Sequence, residues 1–157
     1  MNAPSNILDL FRLTGQAAIV TGGSKGLGRA IALALTQAGA DLVIASRNES
    51  EIQSVAQELA AETGRRVIGV RADVTLMTDA ERIVRTAVEA FGKLDILVNS
   101  AGINNRKPIS DLSVEEFEEL IDINLTGTFR MCKAAGPALL AHGSGRVVNL
   151  SSMLDHV

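Results

Sequence analysis

Five short apolar runs punctuate this chain, at residues 17–20, 42–45, 67–70, 94–98 and 147–150, and none of them alternates with polar residues. A strand with one wet face alternates. Unbroken Val, Ile and Leu suit strands covered on both faces of a parallel sheet. The stretches between the runs carry helical spacing instead. Leu27, Ala30, Ile31, Ala34, Leu35 and Ala38 form one apolar stripe, closed by Gly39 as a C-cap, and Ile52, Val55, Ala56 and Leu59 form the next. Asn48 with Glu51, Thr78 with Glu81 and Ser113 with Glu116 each set a capping side chain three residues before a carboxylate, which marks helix starts. Strand and helix therefore alternate regularly. With right-handed crossovers, the expected architecture is α/β, a doubly wound parallel sheet that binds ligands at the carboxyl ends of its strands, where the strand order reverses.

Composition narrows the partners. Of 157 residues, 46% are hydrophobic and 21% charged, enough apolar material for one core, so a single domain over 1–157 is expected. A net charge of −3 with interspersed signs gives no basic stripe for nucleic acid and no cationic run for an anionic membrane. Cys132 is the single cysteine and there are two histidines, so neither an internal disulfide nor a structural zinc set is expected. The opening residues lack a basic, apolar signal segment, and no run approaches the roughly 20 apolar residues of a membrane span. These features point to a cytoplasmic protein in a reducing compartment.

Directly after the first apolar run comes Thr21-Gly22-Gly23-Ser24-Lys25-Gly26-Leu27-Gly28, with the first amphipathic helix starting inside it. Without side chains at Gly22, Gly26 and Gly28 the turn can be tight, a pyrophosphate can approach the backbone, and the helix can pack closely on the sheet. The helix N-terminus then offers unpaired N–H groups and partial positive charge to the anion.

The spacing Thr-Gly-x-x-x-Gly-x-Gly resembles the cofactor motif of the single-domain short-chain dehydrogenases/reductases. Further segments match in order. Asp73-Val74 follows the third run, where that family contacts adenine; Asn99-Ser100-Ala101-Gly102 follows the fourth, matching Asn-Asn-Ala-Gly except at Ser100. Asn124, within Asp122-Ile123-Asn124-Leu125, matches the family's helix asparagine, and Ser151-Ser152 follows the fifth run, where its catalytic serine is found. The resemblance implies a Rossmann-like sheet of order 3-2-1-4-5 and a cofactor site of Gly22, Ser24, Lys25, Gly26, Leu27, Gly28, Ser46, Arg47, Asp73, Val74, Asn99, Ala101 and Gly102. It also implies a homotetramer built partly on the helix near 126–141.

The end of the second strand usually carries an acidic residue for the ribose hydroxyls in NAD sites. Here it reads Ala45-Ser46-Arg47-Asn48, and Lys25 stands in the glycine loop. Both cations match the basic pair with which NADP-preferring members of the family hold the 2′-phosphate, Arg47 as a planar fork and Lys25 as a point charge. NADP(H) is therefore the expected cofactor.

The resembled family moves hydride between nicotinamide and a carbonyl or secondary alcohol, a small-molecule substrate, while a tyrosine exchanges the proton, a lysine tunes it and a serine holds the substrate oxygen. By position Ser152 is the candidate serine, with Ser151 as the alternative, and Asn124 is the asparagine supporting a relay water. The chain contains no Tyr. The Tyr-x-x-x-Lys motif is expected roughly a dozen residues past the serine, so a continuation beyond residue 157 is expected. The competing reading is a short form that binds NADP(H) without catalysis, as a sensor or interaction module.

Lesser signals take plain readings. Ser152, Asp155 and His156 lack the nucleophile elbow of a hydrolase. Cys132 reads as a packed thiol and His142 as a residue at a helix end. The acidic run at 113–120 reads as a solvated helix face. Arg106 and Lys107 read as surface cations, with a cleft position favouring an anionic substrate such as a sugar acid as the alternative. The local text Gly102-Ile103-Asn104-Asn105-Arg106-Lys107-Pro108 is similar to gluconate 5-dehydrogenase-type members, and 3-oxoacyl-carrier-protein reductase-like members are similar over the same region.

Overall fold

The computed structural model describes residues 6–151. Five strands form one parallel sheet: β1 Ala17–Thr21, β2 Asp41–Ser46, β3 Val67–Arg71, β4 Ile96–Asn99 and β5 Arg146–Asn149, in the order β3-β2-β1-β4-β5. Five α-helices alternate with them: α1 Gly26–Gln37, α2 Glu49–Thr63, α3 Met77–Phe91, α4 Val114–Ile121 and α5 Gly127–Leu140. The expected doubly wound α/β sheet of order 3-2-1-4-5 is the observed one. Its order reverses between β1 and β4, and the cleft described below opens there.

The absence of polar alternation has a direct structural cause. Successive residues of a strand point to opposite faces, and both faces are covered. Ala18, Val20, Leu42, Ile44, Ile96 and Val98 meet Ala32 of α1 and Ile52 and Leu59 of α2. Ile19, Val43, Val70 and Leu97 meet Ile83 and Ala87 of α3 and Met131, Ala135 and Leu139 of α5. Two cores thus share one sheet. Strand β5 departs from this pattern: all four of its residues are exposed, with Val147 at 45% and Val148 at 49%. Among the described residues it is an edge strand, paired through β4 alone, so the expectation of a strand buried on both faces fails at residues 147–150.

Two local expectations need correction. The buried face of α1 is Gly28, Ala32 and Thr36, whereas Leu27 is 71% exposed and Ala30 and Ala34 face outward. Ile31 and Leu35 of the expected stripe do pack against the core, but the contact face is centred on smaller residues, because close helix–sheet approach selects them and Thr36 hides its hydroxyl by donating to the Ala32 and Leu33 carbonyls. Helix α3 begins at Met77 after Leu76, without a side-chain cap, so Thr78 is not its N-cap. The turn is shaped upstream, where the Asp73 carboxylate accepts from the amide and hydroxyl of Thr75. The other two caps stand where expected: Asn48 accepts from the Glu51 amide, and Ser113 with Glu116 makes a complete capping box.

At the end of the sheet away from the cleft, Asp41 gathers three elements. Its carboxylate accepts from Arg65 at 2.6 Å and from Arg66 Nε at 2.8 Å, while the Arg66 guanidinium stacks on Phe91 at 4.8 Å and donates to the Ala90 carbonyl. Burial pushes the Asp41 carboxyl up, but the hydrogen bonds from Arg66 and the charges of both arginines outweigh it and hold the carboxyl below its ordinary value. A depressed carboxyl stabilises the fold above its unfolded-state value and loses that contribution as pH falls through the folded one. Asp41→Asn is expected to cost about 1–2 kcal/mol at neutral pH, discounted for the exposed guanidinium of Arg66, and to flatten the acid limb of stability. Urea denaturation at pH 7 and pH 3 reads both effects; equal losses at the two values would contradict the assignment.

Candidate functional site

The first strand ends in Thr21, whose side chain is 1% exposed and whose Oγ1 accepts from the amides of both Ser100 and Ala101 at 3.1 Å. One hydroxyl thereby fixes the loop after β4 against the loop after β1. The Gly23 amide donates to the Ala45 carbonyl at 3.2 Å, joining the same turn to the end of β2. Three strand ends are locked together.

Within that frame the glycines are required by space. Gly22 adopts φ +68°, and a Cβ there would stand 2.8 Å from the Ser100 carbonyl oxygen and 2.9 Å from Ala101 Cα. A Cβ on Gly28 would collide with the Gly22 carbonyl oxygen and approach Ser100 Oγ at 3.1 Å. Gly26 differs: a Cβ there meets nothing, so its role is the backbone turn at φ +56° that starts α1. The residue before it, Lys25, is the N-cap and offers no side-chain cap. The first amides of α1 are therefore left for another acceptor, in a place where the helix end carries partial positive charge.

A cleft of about 770 Å³ opens over this turn. Its walls include Gly22, Ser24, Lys25, Leu27, Gly28, Ser46, Arg47, Asp73, Val74, Ala101, Gly102 and Asn124, twelve of the fifteen residues expected from the sequence. Of the remaining three, Gly26 contributes its turn. Asn99 does not line the cleft: it is 4% exposed and donates to Asn149 Oδ1 at 2.8 Å and to Cys132 Sγ at 3.5 Å, tying β4 to β5 beneath the floor. Ser152, with Asp155 and His156, lies outside the described residues. Ser151 is exposed and lines the cleft.

Two cations reach the cleft wall. Lys25 and Arg47 both line the cleft, and neither side chain makes a hydrogen bond or ion pair with any of the described residues. Lys107, by contrast, donates to Glu116 of the α4 capping box and, with Arg106, lies off the cleft wall. The Lys107 ammonium and the Ser113 amide hold the Glu116 carboxyl below its usual range. Asp73 is steadied from behind, since its amide donates to Asp79 Oδ2 at 2.8 Å. Burial pushes the Asp79 carboxyl up, and that hydrogen bond with the Arg82 guanidinium more than offsets it.

Asn124 sits in a π-helical turn, Asp122–Thr126, between α4 and α5. Its Oδ1 accepts from the Ile103 amide and its Nδ2 donates to the Ile103 carbonyl, both at 2.9 Å. The side chain thus clamps the Gly102–Ile103 backbone to the helix. Thr21 and Ser100 stand in the sequence motifs without a role of their own, and Glu51 only as a helix-start signal. What each does follows from the tertiary fold.

The chain matches the family described as short chain dehydrogenase over residues 16–157. It belongs to that family. An uncharacterized oxidoreductase of Mycobacterium tuberculosis (strain CDC 1551 / Oshkosh) is 42% identical over 152 residues, which is 96% of this chain and 57% of that protein. An alcohol dehydrogenase from Thermococcus sibiricus, solved with 5-hydroxy-NADP, superposes with a TM-score of 0.79 at 36% identity, covering 84% of this chain and 56% of its own. A 7α-hydroxysteroid dehydrogenase, solved with NADH and 7-oxo glycochenodeoxycholic acid, gives 0.87 at 30% identity, covering 92% and 56%. The chain spans 57% and 60% of the length of two curated relatives it matches.

Thr21→Val keeps the shape and removes the acceptor, leaving two amides unsatisfied beneath the cleft. We expect a stability loss of about 1–3 kcal/mol by urea denaturation, with weaker nucleotide binding. Unchanged stability would mean that the Thr21 hydroxyl does not hold the two loops together.

Proposed function

We propose that this chain forms the nucleotide site of an NADP(H)-using oxidoreductase that interconverts a carbonyl compound and a secondary alcohol. The observation that carries the reading is the pair of partnerless cations, Lys25 and Arg47, facing one cleft whose β2 end holds Ser46 where NAD sites place an acid. The cradle fits the group: Gly22 and Gly28 leave no room for side chains, and the uncapped α1 terminus faces an anion position.

In this reading the amides opening α1, with the Ser24 hydroxyl, hold the diphosphate, while Leu27 and Gly28 shape the turn. Arg47, Lys25 and Ser46 take the 2′-phosphate, Arg47 by its planar fork and Lys25 as a point charge. Asp73 and Val74 border the adenine. Ala101 and Gly102, held by Thr21 and Asn124, form the wall beside the nicotinamide half. When bound, the nicotinamide supplies or accepts the hydride. Ser152, following the cleft-lining Ser151, holds the substrate oxygen. Asn124 acts chiefly as a positioning residue, because both ends of its amide already serve Ile103. Asn99 supports the floor from below.

Among the described residues no helix is long and apolar enough to cross a membrane, in keeping with a cytoplasmic enzyme. The side chains of Phe117, Ile121, Leu125 and Phe129 recur every four residues along α4, the π-turn and α5, exposed by 39% to 64%. That apolar stripe supports a homo-oligomer, a tetramer in this reading, packed through these helices.

Arg47→Ala is expected to weaken NADPH binding roughly ten-fold to a hundred-fold, the worth of one charge-assisted hydrogen bond, and to leave NADH nearly unaffected. Titration followed by nicotinamide fluorescence checks this. Equal NADPH and NADH affinities in the unmodified protein would overturn the cofactor assignment.

A further inference from the structure

The same corner of the cleft holds a carboxylate. Glu51 lies in the first turn of α2 and lines the wall with Lys25, Ser46 and Arg47. Its backbone amide is taken by the Asn48 side chain, but its half-buried carboxylate has no hydrogen bond or ion pair with any described residue. Elsewhere on α2, Glu58 pairs with Arg29 and Glu62 accepts from Gln37. Glu49 is also unpaired but is exposed and off the cleft wall, so Glu51 is the α2 carboxylate left bare on the wall that carries the two bare cations. A partnerless charge of each sign at one subsite is what two alternative ligands, one anionic and one donating hydrogen bonds, would require.

We propose that Glu51 is a cofactor-specificity residue that gives this site a second mode: its carboxylate accepts hydrogen bonds from the adenosine ribose hydroxyls of an unphosphorylated nucleotide and repels a 2′-phosphate. The proposal rests on the nucleotide reading above and deepens it. An ionised carboxylate only accepts, so it suits ribose O–H donors. A phosphate monoester carries about −1.5 to −2 charges at pH 7 and three acceptor oxygens, so it meets the same carboxylate with repulsion and no compensating bond. Lys25 and Arg47 act in the opposite sense. The preference for NADPH is then a contest between two cations and one anion, and the site retains useful affinity for NADH.

Glutamine at position 51 keeps the length of the side chain and the acceptor oxygen while removing the charge and adding an N–H donor. Glu51→Gln is expected to tighten NADPH roughly three-fold to ten-fold at low ionic strength, with the gain shrinking as salt rises, and to weaken NADH slightly. The test is a set of dissociation constants for NADPH and NADH, from nicotinamide fluorescence, on the intact protein and on Glu51→Gln and Arg47→Ala, each at low and high salt. Salt-sensitive tightening specific to NADPH in Glu51→Gln supports the proposal. If Arg47→Ala loses NADPH affinity but Glu51→Gln changes neither constant beyond about two-fold, Glu51 is a spectator and the NADP(H) reading survives. If Arg47→Ala also leaves both constants unchanged, or the intact protein binds neither nucleotide, the cofactor reading falls and this proposal falls with it.

Discussion

The contact between Gly28 and the carbonyl of Gly22 governs this molecule. It lets α1 start almost on top of the β1 turn, with no room for even one methyl group. Because the helix starts there, its first amides, which no side chain caps, stand at the carboxyl end of β1. The Thr21 hydroxyl extends the arrangement across the sheet by holding the Ser100 and Ala101 amides. The cleft is therefore a consequence of close backbone packing at one turn.

Side chains then set the charge of the cleft wall. Lys25 and Arg47 carry charge on the cleft wall that nothing else among the described residues pairs with, while several cations elsewhere are spent on structure. Arg65 and Arg66 converge on Asp41, Arg82 on Asp79, and Lys107 on Glu116. The contrast separates the two ends of the sheet. The lower end is tied by a nearly buried carboxylate between two arginines, and the upper end keeps the Lys25 and Arg47 side chains unpaired among the described residues. Asn124 shows the same division at finer scale: a π-turn re-aims the helix so that one amide can clamp a loop backbone at both its donor and its acceptor.

Much of this was legible in the chain itself, and the exceptions have physical causes. Strands covered on both sides announce themselves by unbroken Val, Ile and Leu, and a glycine loop between strand and helix announces the tight turn under the cleft. The register of α1 was misread because its contact face is made of Gly28, Ala32 and Thr36, residues with little hydrophobic signal, while the exposed Leu27 faces the cleft. Asn99 was placed in the cleft by its motif, yet its side chain turns down toward Asn149. Glu51 was read only as a helix-start signal, since a helix cap and a cleft wall coincide at that residue through the geometry of β2 and α2. Residues that act through tertiary contact, such as Thr21 under two loops, leave no periodic trace.

A crystal structure of the intact protein with NADP(H) bound tests the central claim most directly. The account predicts diphosphate oxygens within hydrogen-bonding distance of the amides that open α1, and the 2′-phosphate between Lys25 and Arg47. A nucleotide bound elsewhere, or one whose diphosphate makes no contact with the Gly22 to Gly28 turn, would contradict it.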